Sequence, residues 1–118
     1  MTREFIMTPE FDKCWKNMGL DDDDLRKLQE MILKDPNSGD VVQGTGGLRK
    51  LRFALEDGKR GGARVLYIDL VLMEEVYLIT AYPKGKKENL TIAEKTIIKK
   101  MIEQLKQSAK DRRLRNGI

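Results

Sequence analysis

Two spacings of apolar residues divide the chain. Up to about residue 35 they recur every three or four positions, from Asp40 to Lys84 they tend to alternate, and after Thr91 the helical spacing returns. "REFIMT" reads as a short first strand. Thr8 is then a cap with Pro9 at the first helical position, and Phe11, Cys14, Trp15 and Met18 share one face of a helix that ends near Gly19. "LDDDDLRKLQEMILKDPNSGD" predicts a second helix. Its carboxylates favour the positive end of the helix dipole, Leu25, Leu28, Met31 and Ile32 form its apolar stripe, and Pro36 and Gly39 stop it.

The alternating runs "VVQ", "LRKLRFAL", "ARVLYIDLVL" and "VYLITAYPK" are separated by "GTGG", "EDGKRGG" and "MEE". They predict three or four strands, and such short connections demand antiparallel neighbours. In "LTIAEKTIIKKMIEQLKQSAKDRR", Thr91 and Glu94 form a capping box, with Ile97, Ile98, Met101, Ile102 and Leu105 as the apolar stripe and a basic opposite face. The expected fold is α+β: a curved antiparallel sheet of about four strands packed against two N-terminal helices and a C-terminal helix, all on one face of the sheet. At 118 residues a single domain spanning 1–118 is expected, with a basic tail, 108–118, fraying from its end.

Alternation also sorts the charges. Leu51, Phe53 and Leu55 fall on one face of their strand, and Lys50 and Arg52 on the other. The same rule groups Thr80, Tyr82 and Lys84 against Tyr77, Ile79 and Ala81. Arg64 opens its strand straight after a hairpin tipped by Lys59 and Arg60. Carboxylates are nearly absent from "GTGGLRKLRFAL" and "YPKGKK", whereas an ordinary solvated face mixes both signs.

Net charge sharpens this contrast. The chain carries +4, but residues 1–42 carry −4 and residues 43–118 carry +8. A one-sided cationic surface concentrates a polyanion, and Tyr82 can stack on a base, so RNA or DNA is the leading ligand class. No histidine is present and Cys14 is the single cysteine, which excludes imidazole catalysis, cysteine-histidine zinc sites and an internal disulfide. No apolar run is long enough to span a bilayer and no signal peptide is evident, so a soluble cytoplasmic protein with no membrane partner is expected. The aspartate run is a helix cap, not a calcium loop, and Cys14 and Trp15 belong to the buried face of the first helix. Catalysis without a cofactor is left to Lys, Arg, Tyr, Asp and Glu. RNA offers a suitable reaction, because its own 2′-hydroxyl can attack the adjacent phosphate while cations stabilise the phosphorane.

"GDVVQGTGGLRKLRFALEDGKRGGARVLYIDLVL" followed by "VYLITAYPKGKKENLTIAEK" closely resembles the HigB branch of the RelE/ParE toxin superfamily, over about Asp40 to Lys95. The resemblance implies a RelE-like fold and a toxin of a type II toxin-antitoxin module that cleaves mRNA on the ribosome without a metal. It implies as partners the ribosome, mRNA and a helix-turn-helix, HigA-like antitoxin. Lys50 and Arg52 match the family's alternating basic pair, Arg64 its arginine after the hairpin, and Lys84 its basic residue after the last strand. Tyr82 completes the expected catalytic set, while Arg49, Lys59, Arg60, Lys86 and Lys87 are expected RNA contacts. The family's late histidine or aromatic residue has no counterpart, which leaves Tyr82, Lys84, Lys86 and Lys87 as alternatives for proton transfer. A ParE-like toxin acting on gyrase and a non-catalytic RNA-binding module are the competing expectations.

Overall fold

The computed structural model describes residues 2–54, 62–86 and 90–115. The chain runs β1 (Glu4–Met7), α1 (Pro9–Asn17), α2 (Asp22–Lys34), β2 (Asp40–Val41), β3 (Arg49–Phe53), β4 (Ala63–Leu70), a 3₁₀ turn (Val71–Met73), β5 (Glu75–Pro83) and α3 (Ile92–Arg115). The strands form one sheet in the order β1-β5-β4-β3-β2. All neighbours are antiparallel except β1, which lies parallel to β5 and is joined to the rest through α1 and α2. The tight-turn rule therefore holds from β2 onward and not for the N-terminal strand.

Local chemistry explains where the helices begin. The Thr8 hydroxyl accepts a hydrogen bond from the Phe11 N–H at 3.1 Å and donates to the Ile79 carbonyl at 2.6 Å, capping α1 and tying it to β5. At α2, Asp21 and Asp24 form a reciprocal capping box. The Asp24 N–H bonded to Asp21 holds that carboxyl below its ordinary range. Most of the aspartate run is thereby used by the helix start.

The helices do not share one face of the sheet. On one side α1 and α2 bring Phe11, Trp15, Leu28 and Ile32 onto Leu51, Phe53, Val65, Tyr67 and Leu78. On the other, α3 brings Ile98, Met101, Ile102 and Leu105 onto Leu48, Leu66, Ile68, Leu70 and Ile79. A central strand covered on both sides cannot alternate, and "ARVLYIDL" is accordingly buried at six of its eight positions. Within α3 the stripe turns on Ile102, which is fully buried, while Ile97 is 69% exposed and lies outside the core. Met31 similarly sits at the edge of the stripe of α2, 39% exposed. The helix continues through 108–115, and Arg112 donates to Glu75 at 3.0 Å.

A β-bulge alters the expected faces of β5. The pairing with β4 shifts register between Leu66 and Tyr67, whose partners are Thr80 and Leu78, leaving Ile79 as an extra residue. Tyr77, Ile79 and Tyr82 consequently join the α3 side, whereas Val76, Leu78 and Ala81 join the α1/α2 side. Ile79 and Ala81, expected together, are thus separated. Leu55, expected beside Leu51 and Phe53, lies outside the described residues.

Candidate nucleic-acid interface

Burial of Leu51 and Phe53 under α1 and α2 fixes the register of β3, because a one-residue slip would exchange its two faces. Lys50 and Arg52 are therefore turned to the α3 side. In the β3–β4 ladder Lys50 pairs with Leu66 and Arg52 with Arg64, and in the β4–β5 ladder Arg64 pairs with Tyr82. Arg52, Arg64 and Tyr82 form a row across three strands, with opposing Cβ atoms about 5 Å apart, as cross-strand pairs are. The apolar residues of α3 cover Leu48, Leu66, Ile68 and Leu70, and the row occupies the end of the sheet where β4 begins. Arg52 is exposed and Arg64 half-buried, and neither has a hydrogen-bond or ion-pair partner among the described residues. Asp40 stands opposite Lys50 on β2, at the outer margin of the patch.

The turn after β5 closes this end. The Lys84 N–H approaches the Gly62 carbonyl at 3.4 Å, and exposed Lys84 and Lys86 extend the cationic surface beyond Tyr82. Gly62 is required there: its φ is +81° and a Cβ would lie 2.7 Å from the Phe53 carbonyl oxygen. The end of β3, the start of β4 and the exit of β5 are thus drawn together around Arg64.

Arg49 is set apart from the row. It pairs with Tyr67, on the α1/α2 side, and its guanidinium donates to the carbonyls of Gly39 at 2.7 Å and Asn37 at 3.3 Å. The Tyr67 hydroxyl accepts from the Gly39 N–H and donates to the Pro36 carbonyl, so both residues hold the α2–β2 loop. Lys59, Arg60 and Lys87 lie outside the described residues. Two cations not singled out in the sequence lie over the "GTGG" loop: a Cβ on Gly44 would lie 3.6 Å from Lys95 Cδ, and one on Gly46 3.8 Å from Lys99 Cγ. Their signal was the four-residue spacing that carries them across the "GTGG" loop alongside Ile102.

Such a surface suits a phosphodiester chain. Two arginines directly opposite each other repel, a cost that a shared anion reverses, and guanidinium groups grip phosphate oxygens in a fixed planar fork. Tyr82 sets a phenol, able to donate or accept a proton, beside Arg64. Among the described residues no helix is long and apolar enough to cross a membrane.

A family model described as the RelE toxin of the RelE/RelB toxin-antitoxin system matches residues 4–116. Among solved structures, the fold is similar to a mutant of the E. coli toxin RelE in the free state, with a TM-score of 0.50 and 15% identity over 72% of this chain and 86% of that one. An archaeal RelE-RelB complex from Pyrococcus horikoshii matches with a TM-score of 0.46 and 21% identity, over 74% of this chain and 100% of the other.

Proposed function

Because the chain belongs to the RelE toxin family of toxin-antitoxin systems, we propose that it is a ribosome-dependent mRNA endoribonuclease of the HigB kind, acting in the cytoplasm as a single domain. The observation that carries this reading is the Arg52–Arg64–Tyr82 row, two guanidinium groups with no partner among the described residues and a phenol, at one end of a sheet. Lys50 and Arg52 hold the phosphate, and Arg64 stabilises the charge that builds on the phosphorane. Tyr82 and Lys84 serve proton transfer. The ribose 2′-oxygen attacks phosphorus as its proton leaves, the bond from phosphorus to the 5′-oxygen breaks, and that oxygen takes up a proton. The products are a 2′,3′-cyclic phosphate and a 5′-hydroxyl. This route uses the RNA's own nucleophile and needs no metal. The antitoxin partner is a helix-turn-helix, HigA-like protein.

The test is controlled expression in a bacterium, with mapping of message ends. Growth arrest with cuts inside translated frames is expected, and Arg64→Ala should abolish both. Full cleavage by that variant would overturn the assignment. Purified protein acting on programmed ribosomes at constant magnesium should cut a message carrying a phosphorothioate at the scissile position without any rescue by manganese or cadmium. Cleavage lost on sulfur substitution and restored by the thiophilic metal would overturn the metal-free route.

A further inference from the structure

At the far end of β4 from Arg64, the connection to β5 breaks the usual rule for turns. Its three residues, Val71, Leu72 and Met73, are all apolar, and Val71 and Leu72 are 63% and 57% exposed. Glu74, which closes the turn, has φ of +53°, the one non-glycine residue with positive φ among the described residues. Beside this turn, a cleft of about 320 Å³ opens between Leu70, Val71 and Leu72 on one wall and Lys106, Ala109 and Lys110 of α3 on the other. The carboxylate that reaches it, Asp69, is held by Arg3 at 2.7 Å, so the cleft presents aliphatic walls with a cationic rim.

We propose that this cleft docks an amphipathic helix of a second protein, one that inserts aliphatic side chains between the 3₁₀ turn and α3 and sets carboxylates against Lys106 and Lys110. Charge complementarity selects this occupant. In a two-fold contact between copies, each would bring its own two lysines to the same interface. A nucleic acid would satisfy the lysines and leave Val71 and Leu72 in water. An aliphatic anchor flanked by Glu or Asp satisfies both walls, in the manner of a helix laid in a groove. The position also matters. Six residues of strand separate Arg64 from Leu70, about 20 Å, so a partner seated here does not touch the arginine row itself. The antitoxin proposed above is the first protein to examine as the owner of this helix, and only that identity rests on the functional reading.

The experiment follows backbone amide shifts of the isotope-labelled full chain during titration with a synthetic helical peptide. The peptide carries Leu at positions i, i+3, i+4 and i+7 with Glu on its flanks. Saturable shifts are expected at Val71, Leu72, Ala109 and Lys110. Leu72→Asp and Lys110→Glu should each weaken binding at least tenfold while leaving RNA cleavage unchanged. A Lys-flanked peptide and a scrambled peptide of the same composition should bind at least tenfold more weakly. Equal binding of either control, absence of saturable shifts, or a stronger response to anionic vesicles, to a short RNA or to the chain's own self-association would overturn the inference. Loss of RNA cleavage in the parent chain would instead count against the functional reading and leave this result standing.

Discussion

Arg52 and Arg64 oppose each other on adjacent strands, an arrangement that a sheet selected only for stability avoids. Stability and function should therefore separate at these positions. Arg52→Gln is expected to raise stability by ~0.5 kcal/mol as the repulsion is removed. Arg64→Ala should lower the cleavage rate by about a hundredfold or more, the usual loss when one group that stabilises developing charge is deleted. Denaturant melts alongside single-turnover cleavage check both, and a large stability loss in either variant would show that the pair has a structural role. The position of these side chains was legible from alternation, because Leu51 and Phe53 anchor the strand. The role of Arg49 was not, since nothing in the sequence indicates that its guanidinium reaches back to the Asn37 and Gly39 carbonyls.

At the scale of elements, α3 separates what periodicity supplies from what packing decides. The run contains Ile97, Ile98, Met101 and Ile102, and helical spacing alone admits stripes centred on either side of it. The sheet selects the Ile98–Ile102–Leu105–Ala109 face. Ile102→Ala should cost about 2–5 kcal/mol, as truncation of a fully buried aliphatic does. Ile97→Ala, at an exposed site, should stay within about 0.5 kcal/mol. Equal losses would place α3 in a different orientation. The bulge at Ile79 was invisible for a related reason: one inserted residue reverses alternation without any change in composition. The two-sided burial of β4 was present in the sequence as an almost unbroken apolar run, but the expectation of all helices on one face passed over it.

The start of α2 has its own pH signature. The Asp21 carboxyl is lowered in the folded state because its charged form accepts backbone N–H bonds, first from Asp24. Its contribution is therefore present above the unfolded carboxyl value of about 3.9 and is lost as pH falls through the lower folded value. Asn at this position keeps a capping oxygen without titrating. The melting temperature of the parent chain should exceed that of Asp21→Asn near neutral pH, and this advantage should disappear as the pH is lowered below 4. A constant difference across the range would remove the carboxylate from the account.

Across the whole molecule, the split between an acidic first third and a basic remainder becomes a difference between ends and faces. Lys50, Arg52, Arg64, Lys84 and Lys86 gather where β4 begins, while Lys13, Lys16 and Lys34 lie on the two helices across the sheet. Counterion release distinguishes a true contact surface from general attraction, because only phosphates neutralised in the complex enter the salt dependence. With five cations engaged, the logarithm of RNA affinity should fall against the logarithm of salt concentration with a slope of about −3.5, at roughly 0.7 per contact for a single strand. The double variant Lys84→Ala/Lys86→Ala should reduce the magnitude of that slope by about 1.4. The double variant Lys16→Ala/Lys34→Ala removes the same charge and should leave the slope unchanged. Fluorescence anisotropy of a labelled single-stranded RNA between 50 and 300 mM salt reads all three slopes. Equal reductions by the two pairs would assign binding to net charge alone, and with it remove the reason for placing the RNA on this end of the sheet.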